Sequence, residues 1–231
     1  EGHLHLYVDD ANYNFALSEC NNMIAIRNFA PVRFEEVKQR VKEGRVELVN
    51  AFFLEPTVSL SGGEALAKMG IEGLRWQEKV MGVRPRFCWA IDICGTPDQM
   101  PQLCRLLGLD ALIYTRCNRS GKTVFWSDAP DGSRILTLVP GEYCEFRTVM
   151  GANAKLTTNN LLAVERDIAG KARYTPTGAP VLFLGGTGDY SLAPARREIP
   201  TEFLDQWKTF QPNSPVKFSA FSQVKTMSFW R

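Results

Sequence analysis

The sequence predicts an α/β fold built on a parallel sheet, barrel-like or doubly wound. Two observations carry that expectation. Short apolar runs alternate with longer amphipathic ones along all 231 residues, the order of strand and helix that parallel sheets require. The short runs are also continuously apolar rather than alternating, as strands covered on both faces must be.

"YNFAL" at Tyr13 to Leu17 is the first strand-like run. Phe34 to Glu43 has helical spacing and stops at Gly44, whose missing Cβ suits a helix C-terminus. Arg45 to Phe53 is strand-like again. From Ser61 or Gly62, residues Leu66, Met69, Gly70, Gly73, Leu74, Gln77, Val80 and Met81 recur at three- and four-residue spacing, and Gly82 closes the helix. Gly70 and Gly73 would let that helix lie close to a sheet. A strand over Arg86 to Asp92 follows, then a helix with Pro97 near its first turn, then a strand over Asp110 to Arg116. "KTVFWSD" and "SRILTLV" are β-rich and joined by the turn-like Ala129 to Gly132. A polar helix around Asn159 to Lys171, an apolar strand "PVLFLGG", a helix over Phe203 to Phe210 and the run "PVKFSAFS" complete the pattern.

With 45% hydrophobic and 11% aromatic residues the chain can bury one sizeable core, as a single globular domain or an incomplete larger one. Its 27 basic and 25 acidic residues are interspersed, giving a formal charge of +2 with no nucleic-acid stripe and no polybasic membrane patch. A neutral or weakly charged ligand fits such a surface. No apolar run approaches the roughly 20 residues that span a bilayer, and the start Glu1-Gly2-His3 lacks the marks of a secretory signal, so a soluble chain, processed or truncated, is expected. Six cysteines lie scattered without a CxxC pair, which argues against a zinc finger and for buried thiols over disulfides; the compartment stays open.

The stretch "RFCWAIDICGTPDQMPQL" sets Asp92 where an apolar strand ends. In α/β sheets the ligand site lies beyond the C-terminal strand ends, where loops open and side chains leave the core. Gly95-Thr96-Pro97 turns the backbone away and leaves the carboxylate facing the mouth. The competing reading is a cap on the following helix or turn.

"WAIDICG" followed by "MPQLCRLLGLDALIYTR" resembles the stretch of glycoside hydrolase family 38, the α-mannosidases, in which a Trp-x-x-Asp-x-(Phe)-Gly phrase carries the nucleophilic aspartate. "FEEVKQRVKEGRVELVNAFFLEP", "SGGEALAKMGIEGLRWQEKVMGVRP" and "TVFWSDAPDGSRILTLVP" resemble further blocks of that family in the same order, so the likeness runs from about Tyr13 to Phe221. It implies a seven-stranded parallel β/α barrel of the glycoside hydrolase/deacetylase kind, filling residues 1–231 as a catalytic domain incomplete at its N-terminus and without the family's C-terminal β domains. It also implies a retaining exo-glycosidase acting on terminal α-mannosides of a glycan, with one divalent cation, usually zinc. Asp92 would be both nucleophile and metal ligand. The family pattern sets its second acid about five residues after the proline closing "SRILTLV", which falls at Glu145, with Glu142 in the same loop.

Two features depart from the pattern. The family's His-x-Asp pair lies far upstream of the "FALSE"-like strand, whereas His3 and His5 stand about ten residues before it and Tyr7 takes the place of the acid. These histidines are ligand candidates or belong to an exposed terminal segment. In "FLGGTGDYSLAP" Tyr190 occupies the position of a family metal-binding histidine, leaving Asp189 as a metal or sugar-hydroxyl ligand or a plain turn residue. Trp89, Trp126 and Arg116 are pocket candidates, since aromatic faces stack on pyranoses and guanidinium groups donate to hydroxyls; core packing is the competing reading of both tryptophans. Glu64 reads as favourable charge at a helix N-terminus. Two other functions compete: a metal-dependent carbohydrate deacetylase, against which stands the missing His-x-x-x-His pair, and a non-catalytic carbohydrate-binding relative that has lost ligands.

Overall fold

The computed structural model describes residues 14–93, 95–141, 157–184, 203–217 and 219–224. Six strands and six α-helices lie in these segments: β1 (Phe15–Leu17), α1 (Cys20–Phe29), α2 (Pro31–Lys42), β2 (Val46–Leu48), α3 (Gly63–Trp76), β3 (Phe87–Ala90), α4 (Met100–Leu106), β4 (Ala111–Tyr114), β5 (Val124–Asp128), β6 (Arg134–Leu138), α5 (Thr158–Ala172) and α6 (Phe203–Phe210). A five-residue π turn over Gln77–Met81 extends α3, and Gly82, at φ 74°, ends it in the left-handed conformation.

The expected closed seven-stranded barrel is corrected by this arrangement. Among the described residues the strands form two small sheets, one of β1 and β2, the other in the order β3-β4-β6-β5. β1 and β2 pair parallel, as do β3 and β4, and β4 and β6; β5 runs antiparallel to β6. The antiparallel strand has a direct cause: Ala129 to Gly132 is too short for a parallel crossover. There Gly132, at φ 82°, donates its N–H to Ala129 O at 2.9 Å, and Asp131 accepts the Ser133 N–H at 2.9 Å. Residues 180–184 join no strand among the described residues, and the end of "PVKFSAFS" enters a 3-10 turn, Phe221–Gln223.

The two sheets meet through Asn50, which is fully buried beyond the end of β2. Its Oδ1 accepts the Trp89 and Phe52 N–H groups, each at 3.2 Å, and Ala51 donates its N–H to Phe87 O at 2.9 Å. Gln77 holds the Asn50 carbonyl with its side-chain amide at 2.9 Å. The other amide group of Asn50, Nδ2, is buried without a hydrogen-bond partner among the described residues.

β3 is buried along its whole length because both faces are covered. Cys88 and Ala90 pack with Leu66, Leu74, Met100 and Cys104 of α3 and α4, whereas Phe87 and Trp89 pack on the opposite face with Ala111, Ile113 and Leu136. Gly73 makes the first layer possible: a Cβ there would stand 2.2 Å from Ala51 O and 2.5 Å from Phe53 N. The Phe53 N–H in turn donates to Met69 O at 3.0 Å. A second core holds β1 and β2 against α1 and α2 through Cys20, Met23, Phe34, Val37 and Val41. No helix among the described residues is long and apolar enough to cross a membrane.

Candidate active site

Four parallel strand ends deliver charged side chains to one region. Glu19 follows β1 and Glu55 the loop after β2, while Asp92 and Arg116 each stand two residues past the ends of β3 and β4. The Asp92 carboxylate is ion-paired with the Arg116 guanidinium, and the two side chains keep 44% and 40% of their surface exposed. Asp92 is no helix cap: α4 starts at Met100 with Gln99 before it and no side-chain cap, and Pro101 rather than Pro97 lies in its first turn. The carboxylate at the strand end is thus left open at the rim.

The backbone around Asp92 has left the sheet ladder, and neighbouring side chains hold it instead. The Asp92 N–H donates to Glu55 Oε1 at 2.9 Å. The preceding carbonyl, Ile91 O, accepts the Thr115 hydroxyl. Glu55 is itself anchored, its N–H donating to Glu19 Oε1 at 3.1 Å. Burial is the chief influence on the Glu55 carboxyl and raises its pKa above the ordinary value. The Asp92 N–H opposes that shift, the nearby Asp92 and Glu19 carboxylates add to it, and Arg116 offsets a part.

The other expected residues separate. Trp89 is 7% exposed, its ring edge-on to Phe221 at 5.1 Å, in the layer beneath the rim. Trp126 is half-buried with the Arg134 guanidinium 5.9 Å from its ring. Register sets Trp126 beside Leu136, and Leu136 beside Ala111 at the start of β4, the end opposite Asp92. Glu142, Glu145, Asp189, Tyr190, His3 and His5 lie outside the described residues. Glu64 makes an exposed ion pair with Lys68 at 2.9 Å on α3. Glu55 and Glu19 are the residues that sequence reasoning missed; the one available signal was an acid inside the apolar "AFFLEP".

The described residues do not fit a zinc site. They contain no group of three His, Cys, Asp or Glu side chains able to hold a metal ion, and the Asp92 carboxylate is ion-paired with Arg116.

Mostly parallel strands separated by helices place the chain in the mixed α/β class. The sequence profile of glycosyl hydrolases family 38, N-terminal domain, matches residues 1–224, and the chain belongs to that family. It is 28% identical over 134 residues to an alpha-mannosidase of Saccharomyces cerevisiae, covering 55% of this chain and 12% of that protein. It is 29% identical over 118 residues to alpha-mannosidase 2 of Mus musculus, covering 51% of this chain and 10% of that one. The crystal structure of an alpha-mannosidase from Enterococcus faecalis V583 superposes at a TM-score of 0.82 and 17% identity, over 99% of this chain and 26% of the other, which is a likeness of fold. The chain thus matches about a tenth of the length of these curated relatives and a quarter of that solved structure.

Proposed function

We propose that the protein is a retaining glycoside hydrolase acting on terminal α-mannosides, with Asp92 as its nucleophile. The observation that carries this reading is the placement of Asp92: half-exposed past the end of β3, uninvolved in capping, its carboxylate against Arg116. In the first step a carboxylate oxygen of Asp92 bonds to the anomeric carbon as the glycosidic C–O bond breaks, and a second carboxylic acid protonates the departing oxygen. In the second step water attacks the same carbon, its proton passes to the conjugate base of that acid, and the Asp92 ester is released. The resemblance assigns the second acid to Glu145. Arg116 orients Asp92 at the mouth and is a candidate donor to sugar hydroxyls. Asp189 and Tyr190 stay candidates for sugar contact by resemblance.

The test is release of nitrophenol from 4-nitrophenyl α-mannoside by the wild type and Asp92→Ala, with inductively coupled plasma analysis of bound metal alongside. Turnover in the wild type that is lost in the variant supports the reading. Equal turnover in both, or none in either, overturns it. Stoichiometric zinc would mean that residues beyond the described ones complete a donor set.

A further inference from the structure

We infer that Glu55 is a positioning residue for the Asp92 nucleophile, acting through the Asp92 backbone N–H; this rests on the function proposed above. The need arises at the end of β3. Ladder pairing stops at Ala90 opposite Tyr114, so the carbonyl and the N–H of the peptide unit joining Ile91 to Asp92 have no strand partner. Each is instead taken by a side chain from a neighbouring strand end. Thr115, from the β4 side, donates to Ile91 O, and Glu55, from the β2 side, accepts the Asp92 N–H at 2.9 Å. With Arg116 on the carboxylate, Asp92 is held from both flanks and at its tip.

Glu55 is fixed in turn by Glu19, whose carboxylate accepts the Glu55 N–H at 3.1 Å. Glu19 stands immediately before α1 yet caps no helix N–H. Two carboxylates in series, each gripping the backbone of the next acid, tie the ends of β1, β2 and β3 to one another. The carboxylate oxygen supplies the acceptor that the interrupted ladder no longer offers, which suits a backbone that must keep its place as charge leaves the nucleophile. Displacement of a nucleophile by about 1 Å is enough to slow chemistry roughly a hundredfold. Glu55 therefore governs kcat through Asp92 without touching the sugar, and KM stays near its wild-type value.

The variants are Glu55→Gln, which keeps an oxygen acceptor, Glu55→Met, which keeps the length and removes it, and Glu55→Asp, which keeps the charge and withdraws the oxygen by one methylene. With 4-nitrophenyl α-mannoside as substrate, kcat is expected to fall about tenfold or more in Glu55→Met and Glu55→Asp. KM should move less than about twofold, and Glu55→Gln should stay within about threefold of the wild type. Wild-type kcat in Glu55→Met or Glu55→Asp, or a Glu55→Gln variant as slow as Glu55→Met, overturns the inference while leaving Asp92 its role. An inactive wild type, or an Asp92→Ala variant as active as the wild type, overturns the underlying function and this inference with it.

Discussion

Glu47, in the middle of β2, accepts the backbone N–H of Phe221 at 2.5 Å and that of its neighbour Ser222 at 2.8 Å. This carboxylate satisfies the opening donors of the 3-10 turn over Phe221–Gln223, where a negative charge is also electrostatically favoured. It thereby seats the Phe221 ring on Phe87, at 6.3 Å, and on Trp89. Glu47→Ala should cost about 2 kcal/mol, lower the thermal midpoint and accelerate hydrogen exchange of the Phe221 and Ser222 amides. Unchanged exchange at those two amides would show that the turn holds itself.

Gly73 and Gly70 lie on the same helix face but should respond differently to a methyl group. At Gly73 the new Cβ meets backbone, with Ala51 O at 2.2 Å, and the helix must retreat from the chain beyond β2. At Gly70 the nearest atom, 2.4 Å away, is the end of the Leu107 side chain, which can turn aside. Gly73→Ala is expected to destabilise by about 3 kcal/mol, the upper part of the range for overpacking, and Gly70→Ala by roughly 1 kcal/mol or less. Urea unfolding of the two variants gives the comparison, and equal losses would refute the assigned contacts.

Cysteine chemistry should follow burial. Cys117 is exposed, while Cys20, Cys88 and Cys104 are buried free thiols. Burial pushes the Cys20 thiol up to about 12, and a hydrogen bond with Cys104, followed by burial, raises Cys88. Peptide mapping after brief alkylation of the native protein should find Cys117 labelled and those three unlabelled until urea is added. For Cys20 the unfolded thiol ionises near its ordinary value of 9.0 and the folded thiol only near 12. Its contribution to stability is complete below the first value and is lost as pH rises through the second. Cys20→Ala should therefore be less stable than the wild type at neutral pH yet decline less steeply across that alkaline window. Parallel pH profiles for the two proteins would contradict the assignment.

Stability and turnover should come apart at Arg116. Half-exposed ion pairs such as Arg116–Asp92 contribute about 0–1 kcal/mol to folding. Arg116→Met should accordingly shift the unfolding midpoint little, while lowering kcat/KM on the aryl mannoside roughly tenfold or more by releasing the nucleophile's tip. A variant that unfolds readily but turns over normally would assign the arginine to the scaffold alone.

The elements that the sequence showed plainly were those whose burial is local and periodic. The α3 face from Leu66 to Leu74 and the doubly covered β3 are of this kind, and the Asp92 strand end followed from them. α1 escaped notice because Cys20 and Met23 are its only buried residues and no side chain caps its start, so "CNNMIAIRNF" shows little contrast between faces. The apolar "VLFL" stretch suggested a strand, yet Leu184 packs into the β3-β4 core and Phe183 beside α5 and α6 without ladder partners. Sheet closure was read from resemblance, whereas pairing depends on partners distant in sequence. Glu55 gave only the faint signal of an acid in an apolar run, because its meaning lies in an N–H donated from 37 positions away.

A peptide ladder tolerates almost any residue, since every amino acid but proline brings the same donor and acceptor. Asn50 is under a different constraint, because there an amide side chain stands in for a rung. One side chain thus joins the hydrogen bond from Ala51 to Phe87 in tying the first two strands to the remaining four. Aspartate could copy the acceptor but would bring a buried charge, and leucine would fill the space while leaving the Trp89 and Phe52 amides stranded. The join between the two sheets is therefore written, in part, at a position that never meets solvent.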